Sequence, residues 1–466
     1  MNKTYWFGFL FVGLVVGGCG SDSGTRPDTG TPQDATADVK ADLAPIADAP
    51  APADTVLSAD ATLPDAPVTI IDTATPVEVA AVDAPLDTAV ATEAQAAVEA
   101  AAAEASVVDL AITESGGGEA GAPATYVAAL SGAQEVPTVA TSATGSAAFT
   151  LSADRTQLSY LVSHDVVGGT ASHIHLGAAG ENGAIIYPFS PFGTTMSGTL
   201  TITATDADNL EQGKLYVNVH SSTHPGGEIR GQILHLGDSL WVANLTGSQE
   251  TPPVTSAGTG SAAVILDAAK TNLRYHVTTT GLTPTNAHIH KGIATLAGGV
   301  IYPFAPISTT MDGTLTITSA DAQDLADGRW YVNVHTSANP AGELRGQLMQ
   351  PGEVLYSAAL SGASEVPPVT TSATGGAQFI LDPTGTNLRY EAVFTGLTAT
   401  AAHIHTGAVG VNGGVLYPLT LTSIGAQGTQ AITTADLANL EAGNFYVNAH
   451  TAANPGGEIR GQIGKP

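Results

Sequence analysis

The chain contains a single cysteine, Cys19, and only 5% aromatic residues. Disulfide bonds within the chain are therefore excluded, as are metal sites built from several thiolates. Basic residues are also scarce, with 14 lysine and arginine residues against 42 aspartate and glutamate residues and a net charge of −28. Such a chain repels phosphate backbones, so we expect no nucleic-acid partner. Its length of 466 residues suggests about three domains.

The N-terminus has the pattern of an export signal. Lys3 supplies a positive charge, residues 5–16 form an apolar stretch too short to span a bilayer, and two glycines precede Cys19. This cysteine and the polar residues after it resemble a bacterial lipobox. The resemblance implies that residues 1–18 are a removed signal peptide and that acylated Cys19 binds the membrane through a lipid anchor. Gly20 favours the outer membrane or cell surface as the location. A plain signal peptide is the alternative.

Residues 19–121 differ in composition from the rest of the chain. Between residues 20 and 121, 19 acidic residues stand against Arg26 and Lys40, in a background of alanine, threonine and proline. This composition buries too little apolar surface to offset the entropy of ordering, so we predict a disordered stalk. A flexible chain of this length has an end-to-end distance of roughly 50–60 Å, and more when charge repulsion extends it. We interpret it as a spacer.

The remaining chain repeats itself every 115 residues. His-Ile-His begins at residues 173, 288 and 403, and Tyr-Val-Asn-x-His begins at residues 216, 331 and 446. The predicted copies are residues 122–236, 237–351 and 352–466. A period of this length corresponds to a whole domain with its own core. Because almost no linker separates the copies, we expect them to form a semi-rigid rod.

Within each copy the pattern favours short strands. Residues 147–151 and 158–162 alternate between apolar and polar side chains or are rich in β-branched residues, and turn-forming residues separate such segments. One helix is predicted per copy, since Thr433 and Asp436 form a capping-box start and Gly443 a stop. The sequence therefore predicts an all-β chain of three tandem Greek-key β-sandwich domains, either immunoglobulin-like or superoxide-dismutase-like, after a disordered stalk.

Three motifs in each copy point to a family. They are Leu-Ser/Thr-Gly-x-x-Glu near the start, His-Ile-His in the middle, and Pro-x-Gly-Glu-Ile/Leu-Arg-Gly-Gln at the end. In these motifs the chain resembles the CHRD (chordin) domain family over nearly everything after residue 125. The family includes animal extracellular antagonists of bone morphogenetic proteins and many bacterial secreted proteins, and for the latter the resemblance implies no agreed activity. Departures occur at Thr138, which replaces a proline, and in the second copy, which lacks an Asn-Gly pair.

Three histidines recur in every copy. Strand alternation places His173 and His175 on one face and Ile174 on the other, and it places His220 with Tyr216 on the outer face of a later strand. Three imidazoles suit Zn²⁺ or copper, and His-Ile-His is similar to the His-Val-His of copper–zinc superoxide dismutases, although the other ligands of that family are missing. The candidate metal ligands are His173, His175, His220, His288, His290, His335, His403, His405 and His450.

A structural role for these histidines is the alternative. Glu228 and Arg230 share a face by the same alternation, and with Glu135 and the histidines they can form a polar network that holds loops onto the sheet. A catalytic role is a third interpretation. Histidines that occur in one copy only, such as His276, are expected to be solvated surface residues. The network candidates are Glu135, Glu228, Arg230, Glu250, Glu343, Arg345, Glu365, Glu458 and Arg460.

The sequence carries no signature of an enzyme, since it lacks a Gly-x-Ser-x-Gly elbow, a phosphate-binding loop and a cysteine nucleophile. We therefore favour a lipid-anchored protein of the cell envelope, whose three domains serve binding or structural roles toward an envelope protein or glycan. Three linked copies would raise avidity for a repetitive partner. The alternative function is copper or zinc binding, with redox activity as an option. The sequence does not indicate an oligomeric state.

Overall fold

The computed structural model describes residues 123–466, so the export signal, Cys19 and the predicted stalk lie outside the described residues. Within that range, no helix is both long enough and apolar enough to cross a membrane. The first copy contains nine strands and one helix, namely β1 (Ala124–Ser131), β2 (Thr144–Leu151), β3 (Gln157–His164), β4 (Gly169–Leu176), β5 (Ala184–Pro188), β6 (Thr195–Thr201), α1 (Ala204–Glu211), β7 (Leu215–Ser221), β8 (Ile229–Gln232) and β9 (Leu234–His235).

The second and third copies repeat this order with eight strands each. The second contains β10 (Ser239–Leu245), β11 (Thr259–Leu266), β12 (Asn272–Thr280), β13 (Asn286–Lys291), β14 (Gly299–Pro303), β15 (Thr310–Thr316), α2 (Ser319–Ala326), β16 (Trp330–His335) and β17 (Leu344–Gln347). The third contains β18 (Val354–Ser361), β19 (Thr374–Leu381), β20 (Asn387–Thr395), β21 (Ala401–Thr406), β22 (Val415–Pro418), β23 (Gly425–Ala431), α3 (Thr434–Glu441), β24 (Phe445–His450) and β25 (Ile459–Gln462).

Each copy is a sandwich of two four-stranded sheets. In the second copy the sheets have the orders β10-β11-β12-β15 and β14-β13-β16-β17. In the first and third copies, a bridge between the first and eighth strands, such as Ser131 with Arg230, joins the two sheets along one side. The predicted all-β chain of three tandem sandwiches is confirmed. The strand order differs from that of an immunoglobulin constant domain, which has sheets A-B-E-D and C-F-G.

The helix of each copy begins and ends at the predicted residues. The Thr203 hydroxyl accepts the backbone N–H of Asp206 at 3.1 Å, and Thr318 and Thr433 form complete capping boxes with the aspartates three residues later. Gly213 follows α1 in the left-handed conformation with φ of 69°, which glycine adopts without strain. Leu210 is fully buried and anchors α1 to the core.

Strand alternation decides which side chains fill the sandwich. Ile174 of β4 and Val217 and Val219 of β7 are fully buried in the core of the first copy. Their neighbours in sequence, including the histidines, consequently lie on the opposite face of the same sheet. The second and third copies bury Ile289 and Ile404 in the same way. The core therefore fixes the face on which every recurring histidine sits.

Two equivalent joints connect the copies, and the described residues belong to one compact unit. In the first joint, Ala179 of copy one packs with Leu240, Ala263 and Ile265 of copy two. A Cβ atom on Gly213 would overlap the Cδ1 atom of Ile265, so a larger residue there would force the Ile265 side chain to move. The second joint repeats the contact, with Gly328 against Ile380 in copy three. In each joint, the loop that follows β4 or β13 therefore packs against the sheet of the next copy that contains β10 or β18.

Each joint also contains ion pairs, and these differ in chemistry. His276 of copy two lies between two carboxylates, with Nδ1 2.7 Å from Asp312 and Nε2 3.3 Å from Glu181 of copy one. The expectation of a solvated His276 is wrong, because its side chain is only 15% exposed. At the position of His276, copy three has Glu391, which pairs at 2.7 Å with Arg329 of copy two. Only the first joint contains an imidazole.

We expect the first joint to weaken as the pH rises above neutrality. Burial lowers the pKa of His276, but hydrogen bonds to Glu181 and Asp312 outweigh burial and raise this pKa above its ordinary value. The stabilisation from a raised pKa is complete below the unfolded value of about 6.5 and is lost as the pH rises through the folded pKa. Hydrogen exchange of residues 177–183 should therefore accelerate several-fold, relative to residues 292–298 of the second joint, between about pH 6 and about pH 9.

The variant His276→Gln should abolish this pH dependence, because glutamine does not titrate. The second joint serves as an internal reference, since its Arg329–Glu391 pair contains no imidazole. Equal acceleration of both loops would contradict the prediction.

Candidate metal centre

Antiparallel pairing of β4 with β7 brings the three histidines of the first copy together. His173 lies opposite Asn218, His175 lies opposite Tyr216, and Ala171 lies opposite His220. The ring centroid of His220 is 5.0 Å from that of His173 and 5.9 Å from that of His175. Each histidine offers one nitrogen to the cluster, and these nitrogens all lie within 4.8 Å of one another.

Backbone carbonyls orient two of the rings. Nδ1 of His175 is 3.0 Å from the carbonyl oxygen of Gly183, and Nδ1 of His220 is 3.1 Å from that of Pro225. Because a carbonyl only accepts hydrogen bonds, each Nδ1 carries the proton and each Nε2 presents a lone pair. Hydrogen bonds from the nitrogen that does not face the metal fix the tautomer and orientation of metal-binding histidines in known sites.

Three buried nitrogens converge, namely Nδ1 of His173 and the lone pairs on Nε2 of His175 and of His220. None of the three has a hydrogen-bond partner within residues 123–466. A buried polar atom without a partner costs about 1–3 kcal/mol, and converging lone pairs also repel one another. A cation among them would remove both penalties.

The protonation state suits metal binding. Burial lowers the pKa of His173, His175 and His220, and their mutual repulsion as cations lowers the pKa of His173 and His175 further. In the second copy, burial lowers the pKa of His288 to about 4. The imidazoles are therefore neutral near pH 7, which is the form that binds metals.

The other two copies repeat the geometry. His335 lies 5.1 Å from His288 and 6.3 Å from His290, measured between ring centroids. His450 lies 4.8 Å from His403 and 6.0 Å from His405. The third copy differs in one bond, because Nδ1 of His403 lies 2.9 Å from Nε2 of His450. Because Nδ1 of His450 donates to the carbonyl of Pro455, Nε2 of His450 accepts the hydrogen bond from His403 in this copy.

His175 is buried although its face is opposite the core, whereas His173 and His220 are half-buried. His175 is only 7% exposed because Tyr216 stacks on its ring at 4.8 Å and Arg230 covers the far face of Tyr216 at 3.4 Å. The loop at residues 177–183 closes over the same side. The histidines thus lie on the face opposite the core, and these groups shield His175 from water.

The donor set fits a transition metal of the zinc or copper type. Three neutral imidazoles bind Zn²⁺ or copper with bonds of about 2.0–2.1 Å, which places the nitrogens about 3.3 Å apart in a tetrahedral site. The present separations of up to 4.8 Å are longer than this, so the nitrogens would have to move closer together when an ion binds. The three imidazole nitrogens fill three positions of a tetrahedral ion, and the fourth position remains for water or another small ligand.

A comparison with known protein families shows the family of this chain. The CHRD domain model matches three times, at residues 126–233, 241–348 and 356–463. The chain belongs to the CHRD domain family. Chordin of Xenopus laevis is 31% identical over 170 residues, which cover 32% of this chain and 18% of that protein. Chordin of Danio rerio is 32% identical over 161 residues, which cover 30% of this chain and 17% of that protein. No solved structure matches significantly.

The network predicted around the CHRD histidines divides into two parts. Glu135 joins the histidine face, since Asn218 donates to it at 3.1 Å, and Arg230 reaches the loop carbonyls of Ala178 and Glu181. The equivalent residues Glu250 and Arg345, and Glu365 and Arg460, occupy the same places.

Glu228 belongs to the second part of the predicted network, which does not include the histidines. It accepts the hydroxyl of Thr141 at 2.9 Å and makes no hydrogen bond to the recurring histidines. Glu343 and Glu458 accept hydroxyls in the same way, from Ser256 at 2.7 Å and Thr371 at 2.8 Å. Glu228 precedes β8 (Ile229–Gln232), and it bonds to the segment around Thr141 rather than to the histidines. Glu228 therefore pins a loop and takes no part in the histidine site.

Two groups of site residues were not assigned a role from the sequence. Tyr216, Tyr331 and Tyr446 stack between the second histidine and the buried arginine of each CHRD domain. Asn218, Asn333 and Asn448 link the histidine strand to the buried glutamate or lie beside it. Their shared face with His220 was visible in the Tyr-Val-Asn-x-His repeat, and that spacing is the signal that could have found them.

Proposed function

We propose that each CHRD domain of this chain holds one zinc or copper ion between its three histidines, so that the whole chain carries three. The observation that supports this is the convergence of three buried imidazole nitrogens without hydrogen-bond partners in the described first copy, two of them oriented by backbone carbonyls. A structural network accounts for the carbonyl bonds but leaves the inward lone pairs unsatisfied. The remaining coordination position would admit a small ligand, and with copper it would allow redox activity.

Metal analysis of the purified chain tests this proposal. After refolding with Zn²⁺ or copper and removal of free metal, we expect close to three ions per chain and a higher unfolding temperature than in chelator, because a ligand of the native state stabilises it. Less than about a tenth of an ion per CHRD domain, with no thermal shift, would rule the proposal out.

We propose further that the chain works outside the cytoplasm, attached to the membrane of the cell envelope through acylated Cys19 and a flexible stalk. The supporting features are the lipobox-like sequence and the acidic composition of residues 20–121. Detergent phase partitioning of the mature protein, with Cys19→Ser as control, tests the anchor. Partitioning of both forms into the aqueous phase would contradict the proposed lipid anchor.

Display of the three CHRD domains to an envelope protein or glycan is the second candidate function. An exposed aliphatic residue recurs directly opposite the second histidine of each copy, with Ile185 and Val300 52% exposed and Val415 56% exposed. Single exposed apolar residues are common, but their recurrence on three domains joined at fixed spacing favours a repeated contact. Replacing all three by glutamate should weaken sedimentation with isolated cell-wall material at least tenfold, whereas Val167→Glu should not.

A further inference from the structure

The two ends of the three-domain array carry the same surfaces that form the internal joints. At the C-terminal end, the loop of copy three that corresponds to the joint-forming loops exposes Val409 by 77% and Val411 by 54%. In the described part of the chain, no atom lies within 4 Å of the Cβ position of Gly443, the counterpart of Gly213 and Gly328. Half of a joint is therefore open to solvent at this end.

The complementary half is open at the other end. The receiving sheet of copy one is β1-β2-β3-β6, and Leu161 on β3 occupies the position of His276 and Glu391. Leu161 is 38% exposed, whereas the side chains of His276 and Glu391 are 15% and 16% exposed in their joints. Ala148 and Thr150 on β2 stand where Ala263 and Ile265 receive the first loop.

The two open surfaces match each other in charge. Each charged residue that makes an ion pair across an internal joint has an uncharged counterpart at the corresponding end. Glu181 corresponds to Val411, Lys214 to Asn444, His276 to Leu161 and Asp312 to Ser197. A contact between the third copy of one chain and the first copy of another would therefore leave none of these ion pairs with one partner missing, and it would place Val411 against Leu161.

We propose that the chain associates head to tail with a second copy of itself, through a joint of the same geometry as its two internal joints. Such a contact is heterologous, because different surfaces of the two molecules meet, so it leaves one open surface at each end and generates longer assemblies. Terminal units of repeat proteins ordinarily carry a polar outer face that prevents this. Here the terminal loop presents valines instead, where the internal copies have alanine, glutamate or leucine.

Sedimentation of the whole chain carrying Cys19→Ser, in chelator so that metal cannot bridge molecules, tests the proposal. We expect the average mass to rise with concentration between about 1 µM and about 1 mM, as for a small interface. Val411→Glu and Leu161→His should each weaken association at least tenfold, because the first places a charge and the second a polar imidazole in an apolar contact. Val167→Glu alters an exposed residue outside the joint surfaces and should have no effect.

Mixing the two variants provides the decisive measurement. Val411→Glu supplies a carboxylate at the end of one chain, and Leu161→His supplies an imidazole on the receiving sheet of the other. In the mixture, Val411 of the Leu161→His chain can meet Leu161 of the Val411→Glu chain, and the two substituted groups can pair as Glu181 and His276 do in the first joint. The mixture should therefore form dimers that neither variant forms alone. Both positions are exposed in the single chain, so circular dichroism should show unchanged folding. A monomer at every concentration, association that persists in both variants, or a mixture without dimers would each overturn the proposal.

Discussion

Replacing His175, His290 and His405 by alanine, one after another, should lower the metal content from three ions per chain to two, one and none. Each substitution removes one of three ligands and leaves two imidazoles, which bind far more weakly. Loss of a second-shell partner alone costs about 10–100-fold in affinity, so we expect loss of a ligand to cost more than about 100-fold. Inductively coupled plasma mass spectrometry of the dialysed chain measures the content directly.

Two controls separate metal loss from misfolding. His224→Ala removes an exposed histidine that occurs in the first copy only and should leave the content at three. In chelator, each ligand variant should retain the far-ultraviolet circular dichroism of the parent chain, because the other strands of its sandwich are untouched. A purely structural role for the histidines predicts a different result, in which metal content is negligible throughout and stability falls with each substitution.

The part of this site that lies on strands was predictable from the sequence. The i, i+2 spacing of His173 and His175 fixed their common face, and the apolar Val217 and Val219 fixed the face of His220. The pairing register of β4 with β7 then had to bring the faces together, and the recurrence of all three positions made that pairing a reasonable expectation. The carbonyls of Gly183 and Pro225, which orient His175 and His220, belong to loops. The alternation of side chains along a strand does not predict the conformation of a loop.

The joints show the opposite case. Their residues are the ones that differ among the copies, so the 115-residue repeat that located the domains gave no signal for the contacts between them. His276 occurs in one copy and has no recurring partner in sequence, and its two carboxylates come from different domains. A glycine follows the helix in every copy. In the first two copies this glycine, Gly213 or Gly328, also lies in a joint. Helix capping accounts for these glycines fully from sequence, so their second role was hidden.

The second large effect is expected at the buried arginine. Arg230 is 1% exposed, lies 3.4 Å above the ring of Tyr216 and donates to the carbonyl of Ala178 at 3.1 Å. Arg230→Ala removes the stacking, leaves buried carbonyls without donors and deprives buried Glu135 of its neighbouring cation. Changes of this kind cost about 3–5 kcal/mol, so we expect the first copy to lose that much stability. Hydrogen exchange resolved by copy measures it while copies two and three serve as references.

The pH dependence of this variant provides the strictest check, because Glu135 and Arg230 are coupled. Burial raises the pKa of Glu135 to about 7, although Arg230 and Asn218 partly oppose the shift. A raised pKa gives stability that is complete below the unfolded value of about 4.5 and is lost as the pH rises through the folded pKa. Without Arg230 the pKa of Glu135 rises further, so the defect of Arg230→Ala should be smaller at about pH 5 than at about pH 8.

Substituting Glu135 by glutamine in the same chain should remove this pH dependence and recover part of the lost stability, because no buried charge then remains. Arg230→Lys should recover little, since an ammonium cannot stack on Tyr216 or reach two carbonyls in one plane. Arg155→Ala is the matched control, because Arg155 forms only exposed ion pairs with Asp208 and Glu211 and should leave unfolding unchanged. If Arg230→Ala behaved like Arg155→Ala, the stack of His175, Tyr216 and Arg230 would not stabilise the histidine site.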